Sequence, residues 1–99
     1  MGPLEVIHTL RVPDRVASLI RGLHPAIKGK VRAVLQEIVS NPTCGKSLKE
    51  ELAGLRSFRL GRLRIVYRLA DDRVVEIVTL GPRRTVYEDT YRLVRRSDE

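Results

Sequence analysis

Between Leu55 and Tyr67 the chain reads LRSFRLGRLRIVY: apolar residues alternate with Arg56, Arg59, Arg62 and Arg64, and no acid interrupts them. Alternation with period two on both sides of Gly61-Arg62 describes two short strands joined by a two-residue loop. Glycine in the first loop position suits a type II′ turn. That turn fixes a register in which Leu60 faces Leu63, Arg59 faces Arg64 and Phe58 faces Ile65. Like charges directly opposite one another destabilise a hairpin. An Arg59–Arg64 pair therefore calls for an anion between the two side chains.

The same alternation continues downstream. Strands are predicted over about Arg56–Leu60, Leu63–Ala70 and Val74–Leu80. A second two-residue turn at Asp71-Asp72 would pair Ile65 with Val78, Arg64 with Thr79 and Leu63 with Leu80. Side-chain parity then gives two faces. Phe58, Leu60, Leu63, Ile65, Tyr67, Leu69, Val74, Val78 and Leu80 share one. Arg59, Arg64, Thr79, Gly81 and Arg83 share the other, above an apolar floor of Val66, Val75 and Ile77. Pro82 lacks an N–H and should loosen the pairing there. Arg83 to Tyr87 lead into a polar tail from Glu88 to Glu99 with a short helix.

Upstream, Leu4 to Leu10 reads as a first strand, with His8 a strand residue near the core rather than a catalytic base. Pro13-Asp14 opens a helix to about Arg21, and Gly22 is its stop. Pro25 begins a longer helix to about Ser40, in which Ile27, Val31, Val34, Leu35, Ile38 and Val39 recur at helical spacing. Asn41-Pro42 ends it. Gly29 costs about 1 kcal/mol in a helix interior, a cost that close approach of the first helix would excuse. His24 falls in a solvated turn between the helices. Leu48, Leu52 and Leu55 point inward. The expected architecture is α+β: an N-terminal strand and a helix hairpin packed on one face of a small, mostly antiparallel sheet, as one domain over residues 1–99.

Charge narrows the partners. The 99 residues carry a net charge of +7, and 15 of the 19 basic residues are arginine, the side chain that suits phosphate. Eleven of these arginines lie between Arg56 and Arg96, against five acids. Such a balance favours a polyanion. No apolar run reaches the roughly 18 residues of a membrane span, and the first residues lack the pattern of a secretory signal. The lone Cys44 reads as a free thiol of a cytoplasmic protein.

Two histidines and one cysteine lack zinc spacing. Glu50-Glu51 and Asp71-Asp72 are adjacent solvated pairs rather than a Mg²⁺ site. There is no phosphate-cradling glycine loop, and too few aromatics (Phe58, Tyr67, Tyr87, Tyr91) for a base-stacking sheet. No metal and no cofactor is expected. What remains is an arginine cluster with Tyr87. Composition leaves open two uses for it: stabilising charge on a phosphate, or merely docking on an acidic surface.

The segments LKEELAGLRSFRLGRLRIVYRL and LGPRRTVY, with a Val/Ile strand between them and a helix hairpin upstream, resemble the RelE/ParE superfamily of bacterial and archaeal toxins. The resemblance implies the α+β fold above and the toxin role of a type II toxin–antitoxin system. In that superfamily the RelE branch cleaves mRNA on the ribosome and the ParE branch poisons DNA gyrase; both are neutralised by a cognate antitoxin. By position, Arg59, Arg64, Arg83 and Tyr87 match the RelE-like catalytic set, and Arg56, Arg62, Arg84 and Lys49 would bind flanking RNA. Some relatives carry a further basic residue where this chain has Ser57; Arg56 and Lys49 are the candidates to replace it.

The implied mechanism is metal-independent attack of an RNA 2′-OH on its own phosphate. The implied partners are antitoxin, ribosome and mRNA, with operator DNA reached through the antitoxin complex. The implied alternatives are a non-enzymatic gyrase inhibitor and a corepressor that acts only with its antitoxin.

Overall fold

The computed structural model describes residues 8–71 and 73–97; the expected strand residues 4–7, the turn residue Asp72 and the last two positions lie outside them. In chain order the elements are β1 (Thr9–Arg11), α1 (Asp14–Arg21), α2 (Pro25–Ser40), a 3₁₀ turn (Pro42–Cys44), β2 (Lys46–Ser47), a second 3₁₀ turn (Glu50–Leu52), β3 (Leu55–Leu60), β4 (Leu63–Asp71), β5 (Val74–Pro82) and α3 (Arg83–Ser97). The strands form one sheet in the order β1-β5-β4-β3-β2. The β1–β5 pair is parallel and the other pairs antiparallel.

Both helices of the hairpin start and stop where the sequence signals them. Asp14 in the first turn of α1 and Arg21 in the last complement the helix dipole. Pro25 fills the first position of α2, and His24 is more than a linker: its Nδ1 accepts the Ala26 N–H at 3.1 Å and caps the helix. Val31, Val34, Leu35 and Ile38 are buried, with Ile27 and Val39 packed beside them. Together with Val16 of α1 they meet Ile65, Tyr67, Val75, Ile77 and Leu80 of the sheet.

Gly29 departs from expectation. A Cβ built there has nothing within 4 Å, so no close approach of α1 explains the glycine. Gly29→Ala is therefore expected to raise unfolding free energy by about 1 kcal/mol. Urea titration checks it through a higher midpoint at unchanged slope.

The β3–β4 hairpin has the expected register, with Leu60 opposite Leu63, Arg59 opposite Arg64 and Phe58 opposite Ile65. Gly61 takes φ +59°, and Arg62 is not in the left-handed region, which fits a type II′ turn. The β4–β5 ladder differs. Asp71 is itself paired, with Val74, rather than standing in the turn. Two irregularities then follow, with Ala70 unpaired on β4 and Val78 unpaired on β5, so Arg64 faces Gly81 rather than Thr79.

A shift of two residues keeps parity at the upper end, where Leu80 and Thr79 stay on their expected faces. Between the bulges the shift is one residue, and one residue reverses every side chain. Val75 and Ile77 thus join the helix-hairpin core, while Val78 belongs to the opposite cluster. Arg15 of α1 reaches across to donate to the Val78 carbonyl at the bulge, and to the Thr79 hydroxyl at 3.4 Å.

The second face is not an open apolar floor. α3 begins at Arg83, well before the expected tail helix, and lies over it. Leu55, Val66 and Val86 are buried there, with Leu48, Leu52, Val78, Tyr87 and Val94 around them. The molecule is thus three layers: helix hairpin, sheet and α3. At the lower end of the second face Glu76 bonds Arg11 at 2.9 Å and Arg68 at 2.8 Å across three strands. Partial burial pushes its carboxyl up, but the hydrogen bonds from the two arginines outweigh that and hold it below the ordinary carboxylate range.

Candidate functional site

Above the α3 footprint the second face opens into a cleft of about 470 Å³ lined by Lys46, Ser57, Arg59, Arg64, Arg83 and Tyr87. Each residue reaches it for a traceable reason. Arg59 and Arg64 are direct cross-strand partners, so the type II′ turn sets them side by side. Arg83 and Tyr87 stand four residues apart on α3 and so share one helix face. Lys46 is the cross-strand partner of Ser57, which brings β2 to the same side.

Charge in the cleft is uncompensated. Among the described residues the ion pairs join Glu76 to Arg11 and Arg68, and Arg92 to Glu88 and Asp89. None involves Lys46, Arg59, Arg64 or Arg83. Arg64 Nη1 makes only long bonds to its own loop, 3.5 Å to the Gly61 carbonyl and 3.3 Å to that of Leu63.

The start of α3 adds to the same field. Its first turn holds Arg83 and Arg84 and no acid, the reverse of what the helix dipole favours. The Arg83 N–H donates to the Arg62 carbonyl at 3.4 Å, tying this end of the helix to the β3–β4 turn. Two arginines opposed on neighbouring strands and two more at a helix N-terminus make a local field that favours an anion.

Tyr87 is aimed by a polar contact with Ser57, whose Oγ lies 2.9 Å from the phenol oxygen. Ser57 is only 5% exposed, so this hydroxyl pair is shielded from water on the serine side. Tyr87 itself is half-buried, its ring packed against the second apolar cluster and its hydroxyl in the cleft.

The remaining sequence candidates lie elsewhere. Arg62 and Arg84 are exposed beside the cleft without lining it, and Lys49 is exposed ahead of the second 3₁₀ turn. Arg56 is turned away: its guanidinium donates to the Gly45 carbonyl at 2.8 Å and to that of Thr43 at 3.4 Å. Neither Arg56 nor Lys49 lines the cleft beside Ser57; Lys46 does. Lys46 and the Ser57–Tyr87 contact are what the sequence reading missed. A two-residue strand carries no periodicity, so only the pairing of β2 with β3 could have revealed them.

Behind β2, on the helix-hairpin face, Tyr67 is held by its hydroxyl. It donates to the Pro42 carbonyl at 2.7 Å and accepts the Gly45 N–H at 2.9 Å. Burial pushes this phenol up to about 12, so it stays protonated.

A family model described as "ParE toxin of type II toxin-antitoxin system, parDE" matches residues 11–87. Comparison with curated protein sequences gives no significant match. Among solved structures, a chain of the toxin–antitoxin complex RelBE2 from Mycobacterium tuberculosis is 31% identical, the alignment covering 79% of this chain and 100% of that one with a TM-score of 0.70. The E. coli toxin RelE, as a mutant in the free state, is similar in fold at 20% identity, with 92% and 98% of the two chains covered and a TM-score of 0.73. A chain of the archaeal RelE–RelB complex from Pyrococcus horikoshii OT3 is 20% identical over 79% and 97%, with a TM-score of 0.64. With a family match across most of its length and a fold shared with these toxins, the chain belongs to the RelE/ParE family of type II toxin–antitoxin toxins.

Proposed function

We propose that this toxin is a ribosome-dependent endoribonuclease that cuts mRNA, and that the basic cleft is its active site. The observation that carries the reading is the grouping of Arg59, Arg64 and Arg83, without carboxylate partners among the described residues, around a tyrosine hydroxyl. In the proposed reaction a ribose 2′-oxygen attacks the adjacent phosphorus and the bond to the 5′-oxygen breaks, leaving a 2′,3′-cyclic phosphate and a free 5′-OH. Arg59 and Arg64 bind the scissile phosphate and the extra charge of its pentacovalent state. Tyr87 takes the 2′-OH proton as its phenolate, or as the phenol orients that hydroxyl while water takes the proton; Arg83 sits by the leaving 5′-oxygen, which is protonated from water. Arg56, Arg62, Arg84 and Lys49 remain candidates for contact with flanking RNA; Arg56 would first have to release the Gly45 carbonyl.

An ordinary tyrosine titrates near ~10 and arginine hardly at all. A site made of these residue types has no group poised near neutrality. It should be slow on free RNA and effective only when a larger body holds the RNA in line, which favours the ribosome as the place of action. DNA, lacking the 2′-OH, is not cut by this route.

One observation favours a second reading. The matching family model is that of ParE toxins, and the ParE branch acts on gyrase without cutting nucleic acid. A translation reaction with primer extension on the mRNA, run beside a gyrase supercoiling assay, separates the two. The expected result is new in-frame 5′ ends and unaffected supercoiling; intact mRNA with blocked supercoiling would overturn the nuclease reading.

Relatives of this chain are described in complexes with antitoxins. The partner expected here is an antitoxin with an acidic segment that folds on the basic surface.

A further inference from the structure

Packing does not explain β2. It is two residues long, both side chains are exposed, and it forms the edge of the sheet. A strand of that length has little stability of its own. It is held instead from the far side of the sheet. The Tyr67 hydroxyl bonds Pro42 and Gly45, and the Arg56 guanidinium bonds the Gly45 carbonyl. A Cβ on Gly45 would lie 2.5 Å from the Tyr67 oxygen, so the backbone is pressed against the ring. The residue just before Lys46 is thereby fixed at both its N–H and its carbonyl. Lys46 itself pairs with Ser57, and its side chain enters the cleft over that short, neutral residue.

We propose that Lys46 is a substrate-binding residue: its ammonium takes a phosphate of the single-stranded RNA chain, and the Tyr67–Arg56 clasp is the positioning device that presents it. This rests on the reading of the cleft as an RNA site. The observations that carry it are the convergence of Lys46 with Arg59, Arg64 and Arg83 on one cavity and its lack of a carboxylate partner among the described residues. The rival account is that Lys46 only guards an exposed sheet edge against pairing with another chain, a common use of lysine.

The two differ in how RNA binding responds to salt. Each phosphate neutralised on a single strand contributes about 0.7 to the slope of log K against log salt concentration. The probe is a fluorescent 2′-O-methyl oligoribonucleotide, which cannot be cut by 2′-OH attack, titrated by anisotropy over a salt series. Lys46→Met is expected to flatten the slope by about 0.7, and Lys46→Arg to restore it. Arg64→Ala, measured alongside, is expected to flatten it as well. Tyr67→Phe is expected to weaken binding in the wild type and not in the Lys46→Met background.

A wild-type slope for Lys46→Met with a flattened one for Arg64→Ala would overturn the role of Lys46 and leave the cleft reading standing. Unchanged slopes in both would overturn the two together. Equal loss from Tyr67→Phe in both backgrounds would remove the clasp from the proposal.

Discussion

On the proposed nuclease reading, replacing Arg64 with alanine is expected to slow cleavage of ribosome-bound mRNA by about 10²–10³-fold, the usual loss when one donor to a developing charge is removed. The same change should leave the fold intact. Arg64 makes no ion pair among the described residues, and its hydrogen bonds are two long contacts with its own loop. Removing it also relieves the repulsion from Arg59 opposite, which is worth a few tenths of a kcal/mol on the scale of cross-strand pairs, roughly 0.2–1 kcal/mol. Activity and stability should therefore move in opposite directions. Single-turnover primer extension and a thermal melt on the same preparation would show it. Arg64→Lys keeps the charge but loses the planar two-donor fork, so it should fall between wild type and alanine. Cleavage at the wild-type rate by Arg64→Ala would sink the assignment of this cleft as the active site.

Tyr87→Phe is the companion test. If the phenol moves or orients the 2′-OH proton, about 10²–10⁴-fold in rate goes with it. The variant also strands the buried Ser57 hydroxyl, whose partner is the Tyr87 oxygen. Ser57→Ala in the Tyr87→Phe background removes that stranded group and should recover stability without recovering rate.

How much of this was legible in the sequence follows from how each signal is generated. Both helices of the hairpin were readable because apolar spacing and prolines agree there, and in α1 the terminal charges of Asp14 and Arg21 agree as well. The β3–β4 hairpin was readable because Gly61 dictates one turn type, and with it the Arg59–Arg64 pairing.

The β4–β5 register was not. The run Val74 to Leu80 is apolar at five of its seven positions, and its two polar residues, Glu76 and Thr79, have opposite parity and mark no preferred face, so a single-residue bulge at Ala70 or Val78 leaves no trace in it. The start of α3 was hidden for a different reason. Arg83 and Arg84 occupy a turn where the dipole favours acids, so the local rule points away from a helix at the place where the cleft gathers positive charge. Lys46 was invisible because only a tertiary pairing defines β2.

Gly45→Ala is expected to meet the tightest contacts of any glycine-to-alanine change among the described residues. Gly45 has an ordinary extended backbone, φ −80° and ψ 159°, so conformational freedom is not why glycine is needed. Space is. The added Cβ would lie 2.5 Å from the Tyr67 oxygen, 2.8 Å from Cε1 of that ring and 3.0 Å from the Ser57 carbonyl. The ring is 1% exposed within the main core and the carbonyl is backbone of β3, so neither yields cheaply.

Overpacking of this kind costs roughly 1–3 kcal/mol. Pulling the loop away instead breaks the Gly45–Tyr67 and Tyr67–Pro42 bonds, and leaving such a hydroxyl unpaired costs roughly 1–3 kcal/mol. A loss of about 3 kcal/mol lowers the melting temperature of a domain this size by roughly 12–24 °C. Circular dichroism on heating reads it directly, with Gly29→Ala as the control: the same chemical change in open space, expected to move the melt upward. Tyr67→Phe should cost less in the Gly45→Ala background than in wild type, because both changes break the same bonds. Full additivity would mean that Gly45 is held by something other than this ring.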